Sequence, residues 1–274
     1  MGFFVRAVTR RNLFAIAVGV VLAGGPFIAF NLWLDNLIER QGQSEVSTAA
    51  KRAIALAEAR VRDAVGMLDG LALAGVSSCN QQDLDAMRRA AFRTIPVKEI
   101  AVLGPDGKTL CNHLELPPGE RDVISSEPLV GANGYRLDII SLRGGERMVR
   151  LRRDVGSAPN SITALVPAVL FLPQVSTGGG PFSGYARIVT AHGATIGEVG
   201  GRTADSESAN FSAGIKSNKF GFDVEVLSPR ARIEAEHADL KWLGLFAAGI
   251  IMTTVAGFVA LMPRYLVPLA IYLH

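Results

Sequence analysis

Cys79 and Cys111 are the only two cysteines of the 274-residue chain, and together two thiols can do one piece of chemistry: make and break a single disulfide. In a reducing cytosol the pair would serve as small buried hydrophobes. On the far side of a bacterial inner membrane an oxidising compartment would join them. Cys79 precedes Asn80-Gln81-Gln82-Asp83, a helix-opening run. A thiolate is favoured there, which makes Cys79 the more nucleophilic partner. Closing a loop with about 31 residues between the cysteines is worth roughly 3.5–4 kcal/mol in chain entropy. A regulatory bond, a purely structural bond and two unpaired exported thiols all stand as readings of the residues alone.

Other candidate chemistry is sparse. Arg143, Arg147, Arg150, Arg152 and Arg153 form a local basic cluster, mostly alternating as a solvated strand face would. Arg143, Arg150 and Arg152 are the candidates for holding an anionic ligand. His113, His192, His237 and His274 are dispersed, with no pair at metal-ligand spacing, so no metal site and no cofactor are expected. No G-x-S-x-G elbow and no phosphate-cradling glycine loop occurs, so no catalytic residue is assigned and enzymatic activity within these residues stays open. The net charge of +3 is too small and dispersed to argue for nucleic acid.

The membrane decides which compartment the cysteines see. From Leu13 to Leu34 no residue is charged. That is about 22 residues and roughly 33 Å of helix, enough to cross a hydrocarbon core about 30 Å thick. A second uncharged stretch runs from Trp242 to Met262. Arg6, Arg10 and Arg11 precede the first span without an acidic partner, so the N-terminus is expected in the cytoplasm. The first span exceeds the h-region of a cleaved signal, and no small-x-small site follows it before Asp35. The expected order is a cytoplasmic N-terminus (1–12), transmembrane helix 1 (13–34), a periplasmic domain (35–240), transmembrane helix 2 (242–262) and a short cytoplasmic tail (263–274). The lipid bilayer is thus the first expected partner and a bacterial inner membrane the expected location.

The elements between the spans must place the cysteines. Residues 36–74 read as a helix continuing out of the membrane. Its stripe of Ala50, Ala53, Ile54, Ala57, Val61, Ala64, Val65, Leu68 and Leu71 suits close packing against another helix, in the same chain or across a homodimer. A second helix starts near Cys79, capped by Asn80, with Leu84, Met87, Ala91 and Phe92 on its apolar face, and ends before Pro96. Residues 99–103 and 108–111 flank Gly104-Pro105-Asp106-Gly107, a hairpin turn. Further strands are expected at 135–142, 146–152, 184–190, 194–199 and 220–227. Ile162–Val175 reads as buried segments, and Ser176–Ser183 and Gly200–Ser217 as Gly/Ser-rich loops. Helices first and then hairpins predict an α+β fold, PAS/Cache-like, with a long membrane-proximal helix and a mostly antiparallel sheet.

The run SSCNQQDLDAMRRAAFRTIPVKEIAVLGPDGKTLCNHL resembles the CSS-motif periplasmic sensor domain. That domain lies between two transmembrane helices at the N-terminus of bacterial EAL-type cyclic-di-GMP phosphodiesterases. Cys79, Leu84, Met87, Arg88, Ile100 and Cys111 fit its pattern; Asn112-His113 stands where the family has serines after the second cysteine. The resemblance is most specific over about 40 residues. It implies a Cys79–Cys111 disulfide made by the periplasmic thiol-oxidising system, whose reduction releases phosphodiesterase output. The periplasmic oxidising and reducing system is then a second partner. The catalytic EAL barrel would need clustered carboxylates on divalent metals. Only PRYLVPLAIYLH follows Met262, and Glu225-Val226-Leu227 and Gly144-Gly145-Glu146 mimic signature tripeptides in strand and turn contexts. The expectation is therefore a redox-responsive input module, either cut from its phosphodiesterase or free-standing. The alternatives are a small-molecule receptor with a structural disulfide and a membrane adaptor.

A reporter active only in the periplasm is expected to work when fused after Gly178, and one that needs the cytoplasm when fused at His274. The reverse pattern would place the cysteines in a reducing compartment and remove the basis of the reading.

Overall fold

The computed structural model describes the backbone of residues 2–94, 97–115, 121–155, 159–172, 184–200 and 210–271; within these, side chains are described from Gly24 to Gly257 apart from Pro26, Asn210 and Ala256. The chain divides into two compact units, Met1–Gly42 with Arg230–His274, and Gln43–Pro229. The expected loop 176–183 lies outside the described residues.

Three helices build the first unit. Helix α1 (Gly2–Leu73) belongs to it as far as Gly42; α3 (Arg230–Glu236) and α4 (Ala238–Ile271) complete it. Among the described residues, one helix is long and apolar enough to cross a membrane, α4 over Ala238–Val255. The other expected span, 13–34, is helical in backbone, but its side chains up to Ala23 lie outside the described residues. Trp242, Phe246 and Ile250 point outward from α4. Where α1 and α4 meet, a Cβ on Gly244 would come within 2.0 Å of the Phe30 ring, so only glycine leaves room for that ring. Arg230 adds an ion pair to Glu39 at 3.2 Å.

The second unit is α+β and carries two antiparallel sheets, where the sequence suggested one. The larger is built from β1 (Glu99–Leu103), β2 (Thr109–Asn112), β3 (Arg121–Pro128), β4 (Tyr135–Leu142), β5 (Arg147–Asp154) and β6 (Ser161–Pro167), in the order β2-β1-β6-β5-β4-β3. The smaller holds β7 (Tyr185–Val189), β8 (Thr195–Val199), β9 (Asn210–Lys216) and β10 (Asp223–Pro229), in the order β8-β7-β10-β9. The β1–β2 turn forms as its residues suggest: Gly107 donates to the Gly104 carbonyl at 2.9 Å and takes a φ of 78°, open to glycine at no steric cost. Two expectations need correction. Ile162–Val175 is mostly buried where described, with Val169 exposed, and its first part is the central strand β6, followed by a 3-10 turn (Ala168–Phe171). A continuous apolar run covered on both faces has no period to read. Gly200–Ser217 is not all loop, since β9 occupies its second half, with Phe211 buried and Ser212, Gly214 and Lys216 exposed in alternation.

Helix α2 (Gln81–Arg93) buries Leu84 and Met87 of its expected apolar face, while Ala91 is half-buried and Phe92 is exposed. The alanine stripe of α1 differs from expectation. Ala50, Ala53, Ala57, Val61, Ala64 and Leu68 are all at 0% exposure, so the stripe is covered within the single chain. Polar contacts show what lies across from this helix. Tyr135 Oη on β4 donates to Asp69 Oδ1 at 2.6 Å and to the Val65 carbonyl at 3.2 Å, and Arg153 on β5 pairs with Asp69. Ser217 donates to Glu58 at 2.7 Å, and Gln43 to the Ser212 carbonyl at 3.1 Å. The helix is therefore fastened to both sheets.

The face of the large sheet that receives α1 is apolar, with Ile100, Val102, Ile162, Ala164, Val166, Val149, Leu151 and Ile139 at 0% exposure. The opposite face carries a row of directly opposed residues, Glu99, Leu165, Arg150, Asp138 and Ser126. Arg150 donates to Asp138 through Nε (2.8 Å) and Nη2 (2.7 Å), Ser126 donates to the other Asp138 oxygen at 2.6 Å, and Arg121 spans both Glu99 oxygens at 2.9 and 2.7 Å. The basic cluster is thus not one solvated face. Arg150 is buried in an ion pair, and Arg153 points to the other side, toward α1.

Breaking a buried pair on one side strands the remaining charge, whereas removing both partners together often costs little. Arg150→Met is expected to lower unfolding stability by about 3–5 kcal/mol, and Arg150→Met with Asp138→Leu to recover most of it. Thermal unfolding of the full chain in detergent reads the difference; equal losses in the single and double variants would show the pair is not coupled.

Candidate functional site

The structure joins the two cysteines: Cys79 Sγ and Cys111 Sγ form a disulfide with 5.9 Å between the Cα atoms and a sequence separation of 32. Each half is placed by a different element. Helix α1 stops at Leu73 because Gly75 takes a φ of 79° and Val76 N–H returns to the Leu71 carbonyl at 3.1 Å, a glycine-terminated C-cap. The chain then turns through Ser77 and Ser78 to Cys79. Cys111 lies on β2, the edge strand of the large sheet. Cys79 is exposed and Cys111 half-buried, so the bond lies at the protein surface.

Asp83 organises the first half. Its buried carboxylate accepts from Ser77 N–H (3.2 Å), Ser78 N–H (2.9 Å) and Ser78 Oγ (2.9 Å) through one oxygen. Its own N–H donates to Asn80 Oδ1 at 2.8 Å, the cap of α2. Asn80 Nδ2 donates to Ser78 Oγ at 2.9 Å, and Asn160 Nδ2 to the Ser77 carbonyl at 3.0 Å. None of these contacts involves sulfur. In the sequence Asp83 stood out only as the end of the helix-opening run Asn80-Gln81-Gln82-Asp83. The spacing Ser78-x-Asn80-x-x-Asp83, a hydroxyl and a cap facing an acid three residues into the helix, was the available signal.

Arg88 and His113 organise the second half. Arg88 Nε donates to the His113 carbonyl at 3.3 Å, Nη1 pairs with Asp85 at 2.9 Å, and Nη2 pairs with Glu115. Beyond Cys111, His113 N–H donates to the Ile100 carbonyl at 3.0 Å, and Ile100 N–H returns to His113 Nδ1 at 3.0 Å. The His113 ring is therefore a structural acceptor. Burial lowers the His113 pKa from 6.5, and the nearby Arg88 charge acts in the same direction. Beside it, Arg88, Ala91, Phe92, Val97, His113 and Leu114 line a groove of about 460 Å³.

One row of the large sheet carries both attachments to the end of α1. Tyr135, Arg153, Ile162, Val102 and Cys111 are directly opposed across β4, β5, β6, β1 and β2. Tyr135 and Arg153 hold Asp69, one turn before α1 ends, and Cys111 holds Cys79, just after it ends. Arg153 also lies 5.5 Å over the Tyr135 ring. Burial, with the Asp69 hydrogen bond, raises the Tyr135 pKa above its ordinary value of 10, which keeps the phenol protonated as the donor. Asp69, Tyr135 and Arg153 went unseen in the sequence because contacts 66 and 84 residues apart leave no local pattern.

The three candidate ligand arginines are not brought together as a single site. Arg143 lies in the exposed β4–β5 turn, Arg150 is buried against Asp138, and Arg152 is half-buried on the same face of β5 as Arg150.

No protein-family model matches the chain, and no curated protein matches it. Among solved structures it is similar to an extracellular ligand binding receptor from Desulfohalobium retbaense DSM5692, at 12% identity and a TM-score of 0.43 over 68% of this chain. It spans 40% of that receptor chain. It is also similar to the periplasmic domain of RsbU from Chlamydia trachomatis, at 11% identity and a TM-score of 0.32 over 72% of this chain and 98% of that one. With TM-scores below 0.5, no functional conclusion rests on either.

A base whose folded pKa is lowered stabilises the fold above its unfolded pKa and loses that contribution as pH falls toward the folded value, because the unfolded chain binds the proton first. For His113 the loss therefore begins as pH drops below about 6.5. The thermal midpoint of the wild type should fall more between pH 7 and pH 5 than that of His113→Gln. Parallel profiles would show that the ring does not titrate with folding.

Proposed function

We propose that this chain is a membrane-anchored sensor module whose outer domain faces the periplasm, and that the Cys79–Cys111 bond is its redox-responsive element. The carrying observation is that an exposed disulfide ties the segment just after α1 to the sheet row that already grips Asp69. A long helix continuous with the 13–34 stretch is held at its outer end by two attachments, one permanent and one that a thiol can open. Reduction removes the second and lets residues 74–80 move relative to β2, which changes the restraint on α1. The CSS-type resemblance of residues 77–114 supports a cyclic-di-GMP phosphodiesterase as the controlled output, with the barrel supplied outside these residues. The anion-receptor reading is weaker, since Arg150 is already neutralised by Asp138.

The outer domain continues along α1 at one end and through α3 into α4 at the other, so a small displacement at the disulfide has a covalent route toward the bilayer. A differential of about 1–3 kcal/mol between two states would alter output by roughly 5- to 150-fold.

Grafted onto an intact cytoplasmic phosphodiesterase, the module is expected to keep activity lower with the bond closed than in Cys79→Ser or Cys111→Ser forms. A staple would instead lower thermal midpoint and abundance in both variants at unchanged activity per molecule. Equal specific activity in oxidised, reduced and Cys→Ser forms would reject redox control.

A further inference from the structure

The contacts around the disulfide assign unequal roles to its two sulfurs. Resting on the reading that the bond is opened and closed in service, we propose that Cys79 is the sulfur attacked by an external thiolate, and that Asp83 is the positioning residue that presents it and keeps it in reach of Cys111. Access separates the two cysteines, since Cys79 is exposed on the turn before α2 while Cys111 is half-buried on β2. Thiol–disulfide exchange depends on which sulfur the nucleophile can approach. The turn that holds Cys79 is fixed by the Asp83 carboxylate through three donors, by the Asn80 cap and by Asn160. The strand that holds Cys111 is fixed independently by the His113–Ile100 and Arg88–His113 contacts. Neither set includes the S–S bond, so after its cleavage they limit how far the turn of residues 74–80 can move from β2 and keep the two thiols within reach of each other.

The exchange balances as follows. A thiolate of the reductant, from a two-cysteine oxidoreductase or from glutathione, bonds to Cys79 Sγ. The Sγ–Sγ bond breaks, and Cys111 leaves as a thiolate that takes a proton from water. A second thiol of the reductant then attacks the mixed disulfide at the reductant's sulfur and releases Cys79, so one dithiol equivalent is oxidised as this disulfide is reduced. Closure runs the same steps backwards, and here Asp83 matters most. Without the carboxylate, Ser77 and Ser78 N–H lose their acceptor and the Cys79 turn is free to swing away from β2.

The test uses the full chain in detergent, equilibrated in glutathione redox buffers, quenched in acid, alkylated and read by peptide mass spectrometry. Most of the glutathione adduct should sit on the Cys79 peptide. The equilibrium constant for closure should fall about tenfold in Asp83→Ala, the size of one hydrogen bond to a charged group, and by less than about threefold in Asp83→Asn, which keeps the acceptor oxygen. A merely structural Asp83 would lower the thermal midpoint of the oxidised and reduced protein alike and leave this constant unmoved. If Asp83→Ala does not fold, Ser78→Ala removes one of the three donors and should lower closure about threefold. Adduct mainly on Cys111, or closure unchanged in the variants, overturns the proposal. Neither measurement involves an output domain, so failure here is distinct from failure of redox control.

Discussion

The outer end of α1 is gripped by one register row of the large sheet, and the rest of the second unit is arranged around that grip. Asp69 accepts from the Tyr135 phenol at 2.6 Å and pairs with Arg153, residues that face each other on neighbouring strands. A half-buried carboxylate between a phenol and a guanidinium is a directional contact, unlike the apolar packing that surrounds it. It sets the rotation of α1 about its own axis. That rotation sends the alanine stripe onto the sheets and leaves Lys51, Arg52, Arg62 and Asp63 exposed. Small side chains along the stripe let the helix backbone lie close, so the row's hydrogen bonds can reach it.

The same row ends in Cys111, and that placement decides what the disulfide can do. A crosslink on an edge strand with one face open to solvent is within reach of a reductant, whereas one between central strands would be sealed. It also acts in parallel with noncovalent ties. Asp83 holds the turn on one side and Arg88 the strand on the other, so the chain-entropy value of roughly 3.5–4 kcal/mol, which assumes free ends in the open state, is an upper bound. A bond whose loss leaves both ends tethered, with only a short movement between them, can reclose readily, which suits reversible use better than a staple closing a floppy loop.

On its far face the large sheet sets two ion pairs beside the buried apolar cluster of Ile140, Met148 and Leu165. Arg150 with Asp138 and Arg121 with Glu99 place two ion pairs where apolar residues would have been cheaper to bury. Each pair bridges separate strands, and Asp138 also binds Ser126 on β3. The Arg150–Asp138–Ser126 set joins directly opposed residues of β5, β4 and β3, so it favours that register where a purely apolar face would tolerate slips.

Local chemistry made part of this protein legible from its residues. Asn80 as the α2 cap, the Gly104–Gly107 turn, the β4 strand at 135–142 and the helical run after residue 36 all follow from patterns spanning a few residues, and all appear in the structure. With no third cysteine to compete, any intramolecular disulfide had to join Cys79 and Cys111, but the residues alone left open whether the bond forms. Strand β6 escaped because burial on both faces erases the alternation that marks a strand, and β3 because an exposed, mostly polar edge strand such as RDVISSEP resembles a loop. The division into two sheets, the burial of Arg150 and the grip of Tyr135 and Arg153 on Asp69 were decided only in three dimensions. Periodicity reports which face a residue takes relative to its neighbours in sequence; which charge meets which carboxylate depends on strand order, and strand order is set by long-range pairing that no local window contains.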